Sequence, residues 1–330
     1  MWQFFINILI FCLVLFIYLH IYFHNKICND LEIFHIDNLD NINKDYLEEI
    51  LDHRQPVIID HQDEVFLSKL SWDQIYNNNS AFDIKIRNKN DNSENSDLYI
   101  NLPLESANKL FEKDQNNYYF SEFNKDFIQE TGLNKIFSSN DSFLRPYMVC
   151  NMEYDLMMGK LNTYTPFRYN CNYRNFFMVT DGSVRIKITN PSNSKYLLPE
   201  YDYENFEFKS QIDIWNPSNL HKSNFKKLKF LEVDLIPGQI FFIPAYWWVS
   251  VKFTSKNTVL STFNYRTYMN NLAITPCYLM HFLQLNNIKT KSVKLDSNFE
   301  TTDIKNMVFK DEKDEKIIEE EKDKETGKIE

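Results

Sequence analysis

Catalysis by a metal, a nucleophile or a proton relay requires histidines, thiols or carboxylates that converge in space. Seven histidines stand at positions 20, 24, 35, 53, 61, 221 and 281, and none falls in the strands expected to line a barrel interior. His53 and His61 flank a compact β-branched strand, where surface or edge placement is expected. Five cysteines at 12, 28, 150, 171 and 277 are odd in number and widely spaced, with no C-x-x-C pair, so neither zinc nor a redox couple is indicated. Cys12 lies in an apolar N-terminal run and Cys28 just beyond it, where S-acylation is conceivable, while Cys171 reads as a core or strand-edge thiol. Arg168 is a permanent cation with no lone pair to give a metal, and in an interior it needs an anionic partner. Trp247 and Trp248 are adjacent, so strand alternation places one ring in the core and the other on the outer face, against a joint stacking role. Lys222, Lys226, Lys227 and Lys229 are the nearest approach to a basic patch. With a formal charge of -10, that run is expected to be a solvated loop or edge, and no nucleic-acid partner is expected.

These groups must be carried by elements, and the chain lays them out in a legible order. Phe4 to Phe23 reads FFINILIFCLVLFIYLHIYF without a formal charge, matching the ~20 residues a helix needs to cross a bilayer. Neither a basic leader, a short apolar core nor a small-residue cleavage site marks it as a signal peptide, so residues 1–25 are expected to be a single-pass transmembrane anchor. Only Lys26 follows closely, which leans toward a cytosolic C-terminal domain. Residues 26–140 form a helical and extended N-terminal region. It holds a short helix through Leu39, Ile42, Tyr46, Leu47 and Ile50, a strand Pro56–Asp60, a helix Leu70–Tyr76 capped by Ser71, a candidate edge strand Asp83–Arg87 in a loop over 77–97, and a helix Phe123–Phe137. Over residues 141–270 short strands alternate with turn signals. Asn175–Thr180, Asp181-Gly182 and Ser183–Thr189 read as a β-hairpin. Phe230–Leu235, Ile240–Ile243, Trp247–Phe253 and Thr258–Asn264 follow, separated by Pro237-Gly238, Pro244-Ala245-Tyr246 and Thr254–Asn257. This regularity predicts a sandwich or jelly-roll barrel and excludes a βαβ fold. A C-terminal helix over 271–296 is expected to bury Leu272, Tyr278, Leu279, Phe282 and Leu283 against the barrel or a second subunit, and residues 297–330 form a charged tail with too little apolar surface to order. The richness in Asn, Lys, Ile, Phe and Tyr fits an AT-rich genome such as that of a large DNA virus or a protist.

Two segments carry a family resemblance. The first is Thr165-Pro166-Phe167-Arg168-Tyr169-Asn170, followed by Asn175-Phe176-Phe177 and Asp181-Gly182-Ser183-Val184-Arg185. The second runs Ile236-Pro237-Gly238-Gln239-Ile240-Phe241-Phe242-Ile243-Pro244-Ala245-Tyr246-Trp247-Trp248-Val249-Ser250-Val251. Together with Arg54–Ile59 as entry strand, residues 54–268 resemble the cupin-like and JmjC-like 2-oxoglutarate, Fe(II)-dependent hydroxylases, asparaginyl hydroxylases among them. In such enzymes the segments read T-P-x-H-x-D and P-G-D-x-x-x-I-P-x-x-W-W-H-x-V. The resemblance implies a mainly β fold: a double-stranded β-helix (cupin or jelly-roll barrel) with flanking α-helices beside the N-terminal transmembrane helix. It also implies an iron held by two histidines and a carboxylate, yet the matched positions hold Arg168, Asn170 and Val249. Thr165 and Asn175 match residues that bind 2-oxoglutarate. The lysine for its distal carboxylate falls at Val184, with Arg185 one residue on.

A hypothetical ligand pocket of Thr165, Arg168, Asn170, Asn175, Arg185 and Trp247 is therefore expected, with no catalytic or metal residue and no cofactor. Arg168 either fills the former iron space, paired with a protein carboxylate or a bound anion, or points to solvent at the barrel mouth. The functional expectation is a membrane-anchored pseudoenzyme that binds or scaffolds an unknown protein or small anionic ligand. The alternatives are an active 2-oxoglutarate-dependent hydroxylase with an unconventional site and a structural membrane or virion component.

Overall fold

The computed structural model describes residues 2–37, 42–89 and 98–286. The expected tail over 297–330, residues 287–296 of the expected C-terminal helix, Leu39 and part of the 77–97 loop lie outside them. Fifteen strands run through the described residues: β1 (Phe34–Ile36), β2 (Val57–Asp60), β3 (Asp83–Asn88), β4 (Ile100–Pro103), β5 (Tyr119–Ser121), β6 (Val149–Gly159), β7 (Arg168–Tyr169), β8 (Arg174–Asp181), β9 (Val184–Thr189), β10 (Pro199–Asp202), β11 (Glu207–Ser210), β12 (Leu231–Leu235), β13 (Gln239–Pro244), β14 (Trp248–Phe253) and β15 (Thr258–Thr267). They make a nine-stranded sheet, ordered β1-β2-β13-β8-β15-β6-β5-β3-β4, and a six-stranded sheet, ordered β10-β11-β7-β14-β9-β12.

Two apolar layers explain the sequence patterns. Phe177 and Val179 of β8, Phe241 and Ile243 of β13 and Leu260 of β15 face Val184, Ile186 and Ile188 of β9 and Val249, Val251 and Phe253 of β14 between the sheets. On its other face the nine-stranded sheet packs Phe176, Met178, Ile240, Phe242 and Phe263 under helices that supply Phe66, Phe127 and Phe137. A strand buried on both faces has no polar side to show, which is why Phe176–Val179 and Ile240–Ile243 read as unbroken apolar runs.

The expected β-hairpin through Asp181-Gly182 is not one. β8 pairs with β13 and β15, whereas β9 pairs with β12 and β14, so the Asp-Gly corner carries the chain from one sheet to the other. Gly182 has φ +75°, and a Cβ there would lie 2.3 Å from Ser255 Oγ. The corners at Gly238 and at Tyr246, with φ +87° and +67°, likewise take the chain between sheets. The left-handed backbone and close approach that an NG- or DG-type signal reports are as useful for changing sheet as for reversing within one.

Four further expectations change. β3 is an interior strand between β4 and β5, not an edge. The helix expected from Phe123 to Phe137 is two short ones, Lys125–Glu130 and Asn134–Asn140, with Gly132 at φ +73° between them. Ser71 is the N-cap of the helix Trp72–Asn79 by position but makes no side-chain cap; the Trp72 amide instead donates to Asp181 Oδ2 at 2.9 Å. In the C-terminal helix Thr275–Leu285, the side chains expected to be buried are largely exposed, Leu279 at 59% and Phe282 at 62%.

At the other end, the helix Trp2–His24 is the one described helix long and apolar enough to cross a membrane. It packs against the helix Tyr268–Ala273. Its C-terminus is held by Arg54, whose Nη1 donates to His24 O at 2.7 Å and to Lys26 O at 3.0 Å.

Candidate functional site

Arg168 lies on β7, whose register sets it opposite Val249 of β14 and Lys209 of β11. Its guanidinium does not open to solvent. Nη1 donates to Glu122 Oε1 at 2.9 Å and to Glu207 Oε1 at 3.2 Å, and Nη2 makes a further close bond to Glu122 Oε2. A second arginine, Arg87 of β3, grips Glu207 with two parallel bonds of 2.6 and 2.9 Å and reaches Glu122 Oε1 at 3.2 Å. The Tyr99 hydroxyl accepts from Arg87 and donates to Glu122 Oε1 at 3.0 Å. Two cations and two anions thus form a neutral cluster; Arg87 and Glu122 are 2% and 1% exposed. Because Arg87 and Glu122 belong to the nine-stranded side and Arg168 and Glu207 to β7 and β11, the cluster ties the two sheets together.

The electrostatics follow from that closure. Burial alone pushes Glu207 up, but Arg87 and Arg168 outweigh it and hold the carboxyl at about 2. Glu122 is likewise lowered, burial opposing and the two arginines prevailing. For Arg87 and Arg168 burial works against the charge, and the facing carboxylates more than restore it. Burial and the neighbouring Glu122 raise the Tyr99 hydroxyl. Behind the cluster, Asp155 accepts backbone N–H groups from Phe123, Asn124 and Leu156 at 2.8, 2.6 and 2.8 Å, fixing the turn that presents Glu122. Burial pushes Asp155 up to about 6 in spite of those bonds.

The remaining residues of the expected pocket are spread out. Asn170 is half-buried just after β7, its carbonyl accepting Tyr246 N–H at 2.9 Å. Val249 is buried in the intersheet core. Thr165 is consumed by β14: its Oγ1 accepts Val251 N–H at 3.0 Å and its carbonyl accepts Ser250 Oγ at 2.6 Å. Asn175 donates to Ile243 O at 3.2 Å and accepts from Asn172. Trp247 is buried between the sheets, and Trp248 is buried on the opposite face with Phe167, its Nε1 bonded to Ser194 Oγ at 2.7 Å. The alternation of the two rings holds, but the outer face is covered, so neither ring is available for stacking. Arg185 lies on the exposed outer side of β9, in a two-pronged pair with Asp234 at 2.6 and 2.9 Å, and does not converge with the others. Of the six, Thr165 lines a cavity of about 270 Å3, shared with Arg87, Lys89, Tyr164, Lys209 and Trp215.

An iron of the 2-oxoglutarate type does not fit these residues. Arg168 and Val249 offer no lone pair, Asn170 only an amide oxygen, and the nearby carboxylates are engaged by two guanidinium groups. Elsewhere His35, Asp37 and Asp60 bring donors within reach of one another, but on the exposed edge at β1 and β2. Arg87, Tyr99, Glu122 and Glu207 were not singled out by type. The signal for the three charged ones is a charge beside aromatic or apolar residues: Glu122 before Phe123, Glu207 between Phe206 and Phe208, and Arg87 after Ile86.

The comparisons agree with the segments that first pointed to a family. The cupin-like domain model matches residues 43–271. The chain is 31% identical over 107 residues to the JmjC domain-containing protein D of Dictyostelium discoideum, covering 32% of this chain and 24% of that protein. It is 30% identical over 108 residues to HSPB1-associated protein 1 of Homo sapiens and of Bos taurus, covering 32% of this chain and 22% of each. The alignments thus span about a quarter of those relatives. The chain belongs to the cupin-like (JmjC-like) domain family.

Proposed function

We propose that this is a membrane-anchored, cupin-like pseudoenzyme, a non-catalytic binding or scaffold protein built on a double-stranded β-helix. The observation that carries it is the Arg168 cluster. Where the family's resemblance puts a metal ligand, a guanidinium is locked between Glu122 and Glu207, with Arg87 completing the charge balance. Strands that pass between the two sheets at successive corners support the double-stranded β-helix, and the length and composition of Trp2–His24 support a single-pass anchor. The direct test is anaerobic titration of the full-length chain in detergent with Fe(II), followed by admission of oxygen and assay of succinate release from 2-oxoglutarate. Neither stoichiometric iron nor succinate is expected; one iron per chain together with succinate release would replace this reading by an active hydroxylase.

The cavity beside Thr165 gives the binding role a seat. Arg87, Lys89 and Lys209 line it with Asp213 and Glu200, and Lys89 lies over the Tyr164 ring at 3.7 Å. Burial lowers the Lys89 pKa, the condition under which an incoming anion gains most. Succinate or phosphate should raise the melting temperature, the shift reaching ~2.7 kcal/mol of stabilisation at a hundredfold excess over Kd. No shift with either would leave the protein-scaffold role as the surviving form of the proposal.

A further inference from the structure

The helix Thr275–Leu285 contains no charged residue and is inside out. Its polar side chains face the domain. The Tyr278 hydroxyl accepts from Arg266 Nη1 at 2.8 Å and donates to Asn271 Oδ1 at 3.1 Å. His281 Nδ1 meets Tyr203 O at 2.6 Å. Gln284 Oε1 accepts Tyr203 N–H at 2.9 Å, and its Nε2 donates to Asp202 Oδ1 at 3.3 Å. At about 100° per residue these three positions form one stripe, and Leu279, Met280, Phe282 and Leu283 fall opposite. A helix on a protein in water turns its apolar stripe inward; here that stripe faces out, with Leu283 at 55% exposure.

Position identifies what covers it. The preceding helix Tyr268–Ala273, which also exposes Tyr268 and Leu272, packs against Trp2–His24, itself apolar and exposed over most of its length, with His24 buried at its end. Two exposed apolar surfaces therefore adjoin. Eleven residues span ~16 Å, too short to cross a bilayer and long enough to lie along its surface. We infer that the outward face of Thr275–Leu285 rests in the boundary between headgroups and acyl chains of a bilayer, fixing the orientation of the domain on the membrane. This inference rests on the reading that Trp2–His24 crosses that same bilayer.

The test uses the full-length chain in phosphatidylcholine vesicles carrying a diazirine on the acyl chain, with adducts mapped by mass spectrometry after irradiation. Adducts on both 2–24 and 275–285 are expected. Adducts on 2–24 alone overturn the inference and leave the anchor standing; adducts on neither overturn both. Chain-to-chain crosslinks through 275–285 in place of lipid adducts would instead identify a second copy as the occupant, and also overturn it. The combined variant Leu279→Asn, Phe282→Asn, Leu283→Asn should cut adducts on 275–285 by about tenfold or more, because each change removes an apolar anchor. It should leave those on 2–24 and the melting temperature unchanged, since the three side chains point away from the domain. Undiminished labelling of 275–285 in this variant would refute the assigned face.

Discussion

Arg168 and Glu122 show why a buried charge is better understood by its partners than by its presence. Desolvating each ion is unfavourable, and the cluster persists because every charge has an opposite within bonding distance. Truncating one member strands the others. Arg168→Met should cost about 3–5 kcal/mol of unfolding free energy, because Glu122 keeps its burial and loses its principal cation. Adding Glu122→Met should recover most of that loss, leaving Arg87 paired with Glu207; urea denaturation of the two variants checks this, and equal destabilisation by both would refute the pairing as drawn. The same neighbourhood sets a pH dependence. Glu207, held at about 2 from an ordinary 4.5, contributes stability present above 4.5 that is lost as pH falls toward 2. Asp155, raised from 3.8 to about 6, does the reverse: its contribution is full below 3.8, is lost as pH rises to 6, and amounts to about 3 kcal/mol. From these two groups the melting temperature should peak near pH 4 and decline to a plateau above 6. Asp155→Asn should flatten the decline whatever it does to the absolute value, and a decline unaltered in that variant would assign it to another group.

At the scale of elements, the corner at Gly182 decides whether the chain stays in one sheet or changes to the other. Its φ of +75° suits glycine, and a methyl there meets Ser255 Oγ at 2.3 Å and Thr258 Oγ1 at 2.7 Å. Ser255 Oγ already accepts Ser183 N–H at 2.7 Å. Gly182→Ala should therefore destabilise by about 1–3 kcal/mol, the sum of crowding against Ser255 and of backbone strain with the Thr258 contact; measured against Ser255→Gly alone, which itself loses the Ser183 bond, Gly182→Ala should cost less by the Ser255 crowding. Thermal melts of the single and double variants separate the two contributions. This corner also marks how far the sequence could be read. Turn chemistry and apolar runs place six of the eight strands from β8 to β15, because both are local properties. Which sheet a strand joins is not local: Asp181-Gly182 specifies a backbone shape, and only long-range pairing with β13, β15, β12 and β14 determines its use. β10 and β11 are not legible because PEYD and EFKS are only four residues long and carry the Pro, Asp, Glu and Lys that strands disfavour. The helix Thr275–Leu285 is legible as a helix, but periodicity alone does not say whether its apolar stripe meets the barrel or a second subunit, and within the chain that stripe is exposed. At the site, Arg168 was legible by its type and the motif around it; Glu122 and Glu207 were not, since their pairing joins positions far apart in the chain.

For the whole molecule the question is how the N-terminal helix is joined to the domain, and Arg54 is the joint. It follows the C-cap of the helix Lys44–Asp52 with φ 57°, a left-handed position that glycine favours after a helix. An arginine is held there while its guanidinium bonds the His24 carbonyl that ends Trp2–His24 and the Lys26 carbonyl just beyond it, and lies over the rings of Phe23 at 4.8 Å and Tyr173 at 5.9 Å. Tyr173 also meets the His24 ring edge-on, at 5.2 Å between centroids. Helix C-termini leave carbonyls without intrahelical partners, so this guanidinium caps one element with a side chain from another. Arg54→Gly keeps the backbone conformation, and relieves it, while deleting the cap. Two hydrogen bonds from a charged donor, each worth about 1.5–3 kcal/mol, are lost together, so local opening around exposed Lys26 should become about a hundredfold more frequent or more, by the roughly 1.4 kcal/mol per decade that links opening to population. Limited trypsin digestion of the full-length chain in detergent reads this out as faster cleavage after Lys26. Cleavage that accelerates only in step with global unfolding would show that Arg54 stabilises the domain alone, and that the N-terminal helix is attached by its tether and not by its socket.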